Sequence, residues 1–214
     1  MLKIWGRKTS VNVQKVMWAV AELGVPHERI DAGGPFGKTD TAEYGALNPN
    51  RLVPVLEDDG LTLWESNAIV RHLAGRYGKA GLMPADYMGA ARADQWMDWM
   101  LSSLYPEVIT ALFQQFVRVT AADRNAALID AAAKRAGDKL AILDKQLSGK
   151  PFILGDALTM ADVAVGALLY RYHTMPIARP SLHNVEAYYQ RLSSRKAYQD
   201  HVMVDWVAMK IPGA

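Results

Sequence analysis

An acid and a hydroxyl stand side by side where an apolar strand pattern passes into a helical one. Glu65 and Ser66 follow the run 61–64 and precede Ile69 and Val70 at helical spacing. A serine is a good N-cap, and the free amides of a helix N-terminus also bind anions. A carboxylate bound there, with Glu65 beside it to hold an ammonium group, would make a receptor for an α-amino acid. Capping of the helix alone is the simpler interpretation.

A proline stands near the start of another apolar run, residues 52–56. Proline lacks the N–H of a strand ladder, so Pro54 belongs at the beginning of a strand or at a sheet edge. If the Val53–Pro54 bond is cis, Val53 turns its backbone N–H and C=O outward, where an extended peptide could pair with them. The alternative is an ordinary trans proline that begins a strand, which is the commoner state of an isolated X-Pro bond.

Short polar side chains also fill the loop before the first predicted helix. This loop, residues 8–12, contains Thr9, Ser10 and Asn12. Ser10 or Asn12 can cap the helix. The same hydroxyl and amide can instead contact a ligand at the positive end of the helix. Both interpretations stay open on the sequence.

A second hydroxyl and acid pair occurs in the C-terminal half. Thr159 and Asp162 have the spacing of a capping box, with aspartate in place of the more usual glutamate. An acid in the first turn also suits the helix dipole. We therefore expect this pair to stabilise the fold and to take no part in chemistry.

The composition excludes several kinds of site. The 214 residues include no cysteine, which excludes a disulfide scaffold, a thiolate zinc site, an iron–sulfur cluster and a cysteine nucleophile. The five histidines lack metal-ligand spacing. A net charge of +2 argues against electrostatic binding of nucleic acid. Neither a secretory signal nor a membrane-spanning run is recognisable, so we expect a cytoplasmic enzyme or binding protein.

Hydrophobic periodicity predicts an α/β part followed by an all-α part. Residues 1–78 have the order βαβ, then a helix, then ββα, with Asp58-Asp59-Gly60 as a hairpin turn. Residues 79–86 contain glycine and proline and are the predicted linker to the helical residues 87–214. The predicted strands cover 2–5, 27–31, 54–57 and 61–64, and the predicted helices include 41–47, 66–78, a long one bent near Pro106, 159–172, 182–192 and 196–209.

These motifs, in this order, resemble the glutathione S-transferase superfamily over nearly the whole chain. The resemblance depends on Val53-Pro54, on Glu65-Ser66 at a helix start, on Asn48-Pro49 upstream and on the capping box. It is strongest for serine-type members, theta-like or bacterial nu-like. It implies a thioredoxin-like N-terminal domain, an all-helical C-terminal domain and a homodimer, with glutathione as co-substrate and no metal.

The resemblance also implies which residues hold the tripeptide. Glu65 and Ser66 would bind the ammonium and carboxylate of the γ-glutamyl unit. Val53, before a cis Pro54, would pair its backbone with the cysteinyl unit.

Further positions follow from the same resemblance. Lys38 and Arg51 stand where side chains for the glycyl carboxylate are expected. Ser10 would face the sulfur, with Asn12 as a second donor. Because Thr9 adjoins Ser10, the choice among Thr9, Ser10 and Asn12 stays open.

A hydroxyl that donates to sulfur, and the positive end of a helix, both favour the thiolate, which is the nucleophile. We therefore expect a detoxifying enzyme that conjugates glutathione to an apolar electrophile held by the C-terminal domain. The same thiolate could attack a peroxide or a disulfide, so a glutathione-dependent peroxidase or disulfide reductase is an alternative. A non-catalytic glutathione- or ligand-binding module is another, because a fold does not fix a function.

Overall fold

The computed structural model describes residues 1–78 and 81–214. The N-terminal part contains the strands β1 Leu2–Trp5, β2 His27–Ile30, β3 Val55–Asp58 and β4 Leu61–Trp64. They form one sheet with the order β2-β1-β3-β4. β1 is parallel to β2 and antiparallel to β3, and β3 pairs with β4 as a hairpin. All four lie where the sequence predicts strands, within one residue at each end.

The helices of this part are α1 Val11–Leu23, α2 Ala42–Leu47 and α3 Ser66–Tyr77. Gly24 ends α1 with φ +64°, the left-handed conformation of a helix C-cap. Asp59 and Gly60, with φ +52° and +84°, make the tight turn between β3 and β4. The predicted βαβ–α–ββα order is confirmed.

The C-terminal part is helical, as predicted. A long helical segment begins as α4 Tyr87–Trp99, continues with π-helical winding over Met100–Leu104 and Pro106–Phe113, and ends as α5 Gln114–Val117. Pro106, where the sequence predicts a bend, therefore lies inside a segment that changes its winding, because proline has no N–H to continue the usual ladder. The other helices are α6 Ala126–Gln146, α7 Met160–Thr174, α8 His183–Ser193 and α9 Lys196–His201.

The connection between the two parts is described only from residue 81 onward. Lys79 and Ala80, the first residues of the predicted linker 79–86, lie outside the described residues. Among the helices of residues 1–78 and 81–214, none is long and apolar enough to cross a membrane.

Helix α1 joins the two parts of the molecule. Val13, Val16 and Trp18 are fully buried, and the helix packs against α3, α7 and α9. Trp18 meets Tyr198 edge to face at 4.8 Å between ring centroids. The first turn of α1 is therefore held in place by elements from both halves of the chain.

The prediction of a helix over 196–209 is wrong beyond His201, where α9 ends. The chain turns back so that Trp206 packs edge to face on Phe113, with ring centroids 5.3 Å apart. The Trp206 indole also donates to the Thr174 hydroxyl at 2.9 Å. Burial of this large ring with a satisfied N–H favours the turn over a continued helix.

The capping box at the start of α7 is confirmed. The Asp162 carboxylate is fully buried and accepts hydrogen bonds from the Thr159 N–H at 2.7 Å and from the Ile153 N–H at 2.9 Å. It also accepts from the Thr159 hydroxyl at 3.0 Å and the Tyr188 hydroxyl at 2.9 Å. One carboxylate thus ties the start of α7 to the preceding loop and to α8.

We expect Asp162→Ala to lower the free energy of unfolding by at least about 2 kcal/mol, because it leaves several buried donors without an acceptor. Chemical denaturation measures this loss. The control is Asp138→Ala, which removes an exposed acid paired with Lys134 and is expected to change stability by less than about 0.5 kcal/mol. Equal stabilities of the two variants would contradict the structural role of Asp162.

Candidate functional site

The three sequence motifs of the N-terminal part meet at one open groove. The start of α1, the approach to β3 and the start of α3 all contribute side chains to it. The groove is lined by Asn12, Asn48, Asn50, Leu52, Val53, Pro54, Glu65 and Ser66. Segments more than 50 residues apart in sequence therefore meet here, and Ser10, two positions before Asn12, is not among the residues that line the groove.

The start of α1 presents a free hydroxyl. Ser10 occupies the N-cap position with φ −79° and ψ 124°, yet its side chain makes no capping hydrogen bond. Asn12 also does not cap the helix, because its Oδ1 accepts from the Ser66 hydroxyl at 3.3 Å. Among the described residues nothing hydrogen-bonds the Ser10 hydroxyl, so this group is available to a ligand.

The loop that carries Ser10 is fixed by its own carbonyl groups. The Ser10 N–H donates to the Arg7 carbonyl at 3.1 Å. The buried Gln14 amide donates to the Lys8 carbonyl at 3.0 Å. Sequence reasoning missed Gln14. The only indication of its role was that a polar amide side chain occurs within an otherwise apolar helix pattern.

Glu65 holds a strained backbone. It occupies the N-cap of α3 with φ +70° and ψ 110°, a conformation that costs a non-glycine residue roughly 1–3 kcal/mol and that concentrates at functional sites. The prediction that Ser66 is the N-cap is therefore wrong: Ser66 is the first helical residue and is buried. Its N–H belongs to the first turn, where helix amides lack partners within the helix and can bind an anion.

The Val53–Pro54 peptide bond is cis, so the ordinary trans alternative is wrong. The preceding carbonyl, that of Leu52, accepts from the Tyr44 hydroxyl and from the Asn48 amide, both at 2.8 Å. In residues 1–78 and 81–214 no hydrogen bond involves the backbone N–H or C=O of Val53. These two groups are thus available for pairing with an extended peptide.

The two basic side chains predicted for a second carboxylate lie outside this groove. The Arg51 guanidinium donates to the carbonyls of Thr41 at 2.9 Å and Thr39 at 3.2 Å, which ties the loop before α2 to the approach to β3. Lys38 is exposed and lines a different, more apolar groove with Trp5 and Tyr44. Their roles in binding stay predictions.

Family comparisons agree with this geometry. The N-terminal glutathione S-transferase domain matches residues 9–76, and the C-terminal glutathione S-transferase domain matches residues 126–191. The chain is 37% identical over 209 residues to glutathione S-transferase GstB of Escherichia coli K12, a match that covers 95% of this chain and 99% of that protein. The chain belongs to the glutathione S-transferase family. The thioredoxin-like and all-helical domains that the resemblance implied are confirmed.

Other members of the glutathione S-transferase family are similar over most of the chain. Glutathione S-transferase 4 of Zea mays is 28% identical, covering 92% of this chain and 89% of that protein. A solved theta class glutathione S-transferase of Xanthomonas axonopodis pv. citri, with glutathione bound, is 44% identical, with a TM-score of 0.89 and coverage of 95% of this chain and 98% of that one. The expected likeness to theta-like members is confirmed at the level of fold.

A buried lysine lies behind the groove of this transferase. Lys15 is fully buried on α1, and its ammonium donates to the Asn67 side chain at 3.0 Å. Asn67 in turn donates to the Met97 carbonyl of α4 at 3.0 Å. Burial lowers the pKa of Lys15 to about 7, while nearby Glu65 acts to raise it and Arg71 to lower it. Sequence reasoning missed Lys15, because a lone lysine in a helix is usually on the solvent side.

Replacement of Lys15 should change how stability depends on pH. Below about pH 7 the folded and unfolded states both carry the charge, and the folded state bears the full desolvation cost. Between that pH and the ordinary lysine value the unfolded state binds the extra proton, so the wild type becomes more stable as pH rises. Lys15→Met lacks this contribution. The stability of Lys15→Met relative to wild type should therefore be highest at about pH 6 and decline toward about pH 9.

Urea denaturation of both proteins across this range measures the difference. Lys134→Met, which removes an exposed lysine, is the control and should show a difference from wild type that does not vary with pH. A pH-independent difference for Lys15→Met would contradict the titration of a buried lysine.

Proposed function

We propose that this chain is a glutathione S-transferase that conjugates the thiolate of glutathione to an apolar electrophile. The observation that carries the proposal is the uncapped Ser10 hydroxyl at the N-terminus of α1. Two residues further on, Asn12 connects α1 to the start of α3 through its contact with Ser66. The glutathione-bound relative with the same fold supports it.

In this proposal the γ-glutamyl group of glutathione is bound at the start of α3. The Glu65 carboxylate takes the ammonium, and the Ser66 hydroxyl and N–H take the carboxylate. Glu65 is exposed and has no ion-pair partner in the described residues, so its charge is free for a ligand. The cysteinyl unit then pairs with the backbone of Val53 before the cis Pro54. The glycyl carboxylate would extend beyond the groove toward Arg51 and Lys38, which lie outside it.

This placement directs the sulfur toward the start of α1. A free cysteine thiol has a pKa of about 8.5, so little of it is ionised at neutral pH. Ser10 keeps its own proton and donates it in a hydrogen bond to the sulfur, and Asn12 is a second polar contact. Each unit of pKa lowering needs about 1.4 kcal/mol, which one charge-assisted hydrogen bond supplies.

The electrophile would be held by the C-terminal domain. We assign residues 1–78 to glutathione binding, 79–86 to the linker and 87–214 to the domain that contributes the electrophile pocket. Tyr105 in the long helical segment is half-buried and lies near Asn12. Aromatic side chains of this kind suit a planar apolar substrate. A homodimer, a role in detoxification and a cytoplasmic location remain part of the proposal.

Glu65→Ala should weaken glutathione binding by at least tenfold, or about 1.4 kcal/mol, because the ammonium of the ligand would lose its anionic partner. Isothermal titration calorimetry measures the affinity. Glu28→Ala, which changes an exposed glutamate on β2, is the matched control and should bind like the wild type. Unchanged affinity of Glu65→Ala would remove this residue from the site.

Ser10→Ala should raise the pKa of enzyme-bound glutathione by about one unit, which corresponds to about 1.4 kcal/mol. A pH titration of the thiolate absorbance in the ultraviolet measures it. Affinity for S-methylglutathione should barely change, because that ligand has no thiolate to stabilise. Turnover of an aryl halide at neutral pH should fall and partly return at alkaline pH.

Thr9→Val and Asn12→Ala separate the alternatives. A shift of the titration in one of these variants but not in Ser10→Ala would transfer the activating role to the neighbouring residue. Turnover of a hydroperoxide or a mixed disulfide, without turnover of the aryl halide, would favour the peroxidase or reductase. Binding without any turnover would favour a non-catalytic module.

A further inference from the structure

A second buried cation lies at the junction of the two domains. Arg171, on α7, is 2% exposed. Its Nη2 donates to the Thr9 carbonyl at 2.7 Å, a contact between residues 162 positions apart. Thr9 immediately precedes Ser10, so α7 holds the loop that presents the candidate hydroxyl.

The rest of this guanidinium has no polar partner. Its Nε and Nη1 are buried and make no hydrogen bond, and no acid in residues 1–78 and 81–214 forms an ion pair with Arg171. The guanidinium lies over the Phe113 ring, 4.8 Å from its centroid. A buried charge that lacks a counter-ion is costly, because its lost hydration is not replaced.

The groups that face Arg171 do not neutralise it. They are Arg7 before α1, Tyr105 in the long helical segment, Tyr170 on α7 and Tyr198 on α9. Burial lowers the pKa of Arg171 to about 10, with Arg7 acting in the same direction and the tyrosines opposing. The side chain therefore stays charged at neutral pH, and this part of the protein carries an uncompensated positive charge.

Tyr105 links this charge to the groove. Burial raises the pKa of the Tyr105 hydroxyl, whereas Arg171 and the Asn12 side chain both act to lower it. Arg171 thus contacts the residue that precedes Ser10, and its charge acts on Tyr105, which Asn12 also influences. Burial of the unpaired Arg171 charge costs stability, so its position next to the candidate site indicates a role in function.

We propose that Arg171 is a positioning residue of the transferase, whose hydrogen bond to Thr9 orients Ser10 and whose buried charge favours ionisation of the glutathione thiol. The inference rests on the proposed function. On ionisation the S–H bond of glutathione releases its proton to solvent, Ser10 keeps its own, and the thiolate becomes the negative charge that the guanidinium lacks. A positive charge held in a region of low dielectric acts on the thiolate more strongly than the same charge in water.

Two substitutions separate the charge from the hydrogen bond. Arg171→Gln keeps an N–H donor for the Thr9 carbonyl and removes the charge, whereas Arg171→Lys keeps the charge. Neither leaves a buried acid without its partner, because no acid of the described residues forms an ion pair with Arg171. The control is Arg179→Met, which removes another arginine that donates to backbone carbonyls, those of Tyr172 and His173 at 3.0 Å.

The readout is the pKa of enzyme-bound glutathione, titrated by thiolate absorbance, together with the affinity for S-methylglutathione. We expect Arg171→Gln to raise the thiol pKa by about one unit, Arg171→Lys to stay close to the wild type, and Arg179→Met to leave the thiol pKa unchanged. Affinity for S-methylglutathione should change less than about threefold in the folded variants, since this ligand carries no thiolate.

The outcomes distinguish this inference from the proposed function. A bound thiol whose pKa in the wild type equals that of free glutathione would contradict the proposed function itself. A lowered pKa in the wild type that Arg171→Gln leaves in place would overturn the role of Arg171 alone. An equal rise in the lysine and glutamine variants, or a loss of S-methylglutathione affinity that accompanies the rise, would also overturn it. Should the glutamine variant fail to fold, Arg171→Met takes its place in the same titration.

Discussion

The start of helix α1 leaves the Ser10 hydroxyl without a capping hydrogen bond, and contacts from several elements fix the backbone around it. The carbonyl of Arg7 is bound by the Ser10 N–H, that of Lys8 by Gln14 and that of Thr9 by Arg171. Each carbonyl of the loop thus has its own donor, from the loop, from α1 or from α7. The loop backbone around Ser10 is thus fixed without a hydrogen bond from its side chain.

The same helix explains why the two domains must pack closely. α1 is buried between α3 and the helices α7 and α9, so the groove-lining loop takes its position from both domains. Two hydrogen bonds connect α1 to α4: Lys15 donates to Asn67, and Asn67 donates to the Met97 carbonyl. The strained backbone of Glu65 is tolerated because the rigid surroundings over-determine it. Apolar burial along α1, in which Val13, Val16 and Trp18 are fully covered, offsets such local costs.

Local signals in the sequence predicted most of the fold. The Asp-Gly turn and the capping box of Thr159 and Asp162 each act within a few residues, so their consequences can be predicted from the local sequence. The start of α3 was predicted less well. Ser66 has the chemistry of an N-cap, but Glu65, which follows the β3–β4 hairpin, has a positive φ and takes the N-cap position instead. The helix predicted beyond His201 does not form, because the chain turns back to bury Trp206 against Phe113.

The buried cations could not be predicted in the same way. Whether a lysine or arginine in a helix faces solvent or a neighbour depends on which elements pack on it, and Arg171 meets Thr9 across 162 positions of the chain. Lys15 is similar, because its partner Asn67 belongs to another helix. Lys38 was predicted as a site residue from its position in the chain. In the structure it lines a different groove, with Trp5 and Tyr44.

The central claim is that the sulfur of bound glutathione meets the hydroxyl of Ser10 while the γ-glutamyl group is held by Glu65 and Ser66. A crystal structure of the complex with glutathione tests it most directly. The account predicts the sulfur within hydrogen-bonding distance of Ser10 Oγ, the peptide paired with the backbone of Val53, and the α-amino acid end at the start of α3. A sulfur that contacts Thr9 or Asn12 while the Ser10 hydroxyl points elsewhere, or a tripeptide bound outside this groove, would contradict it.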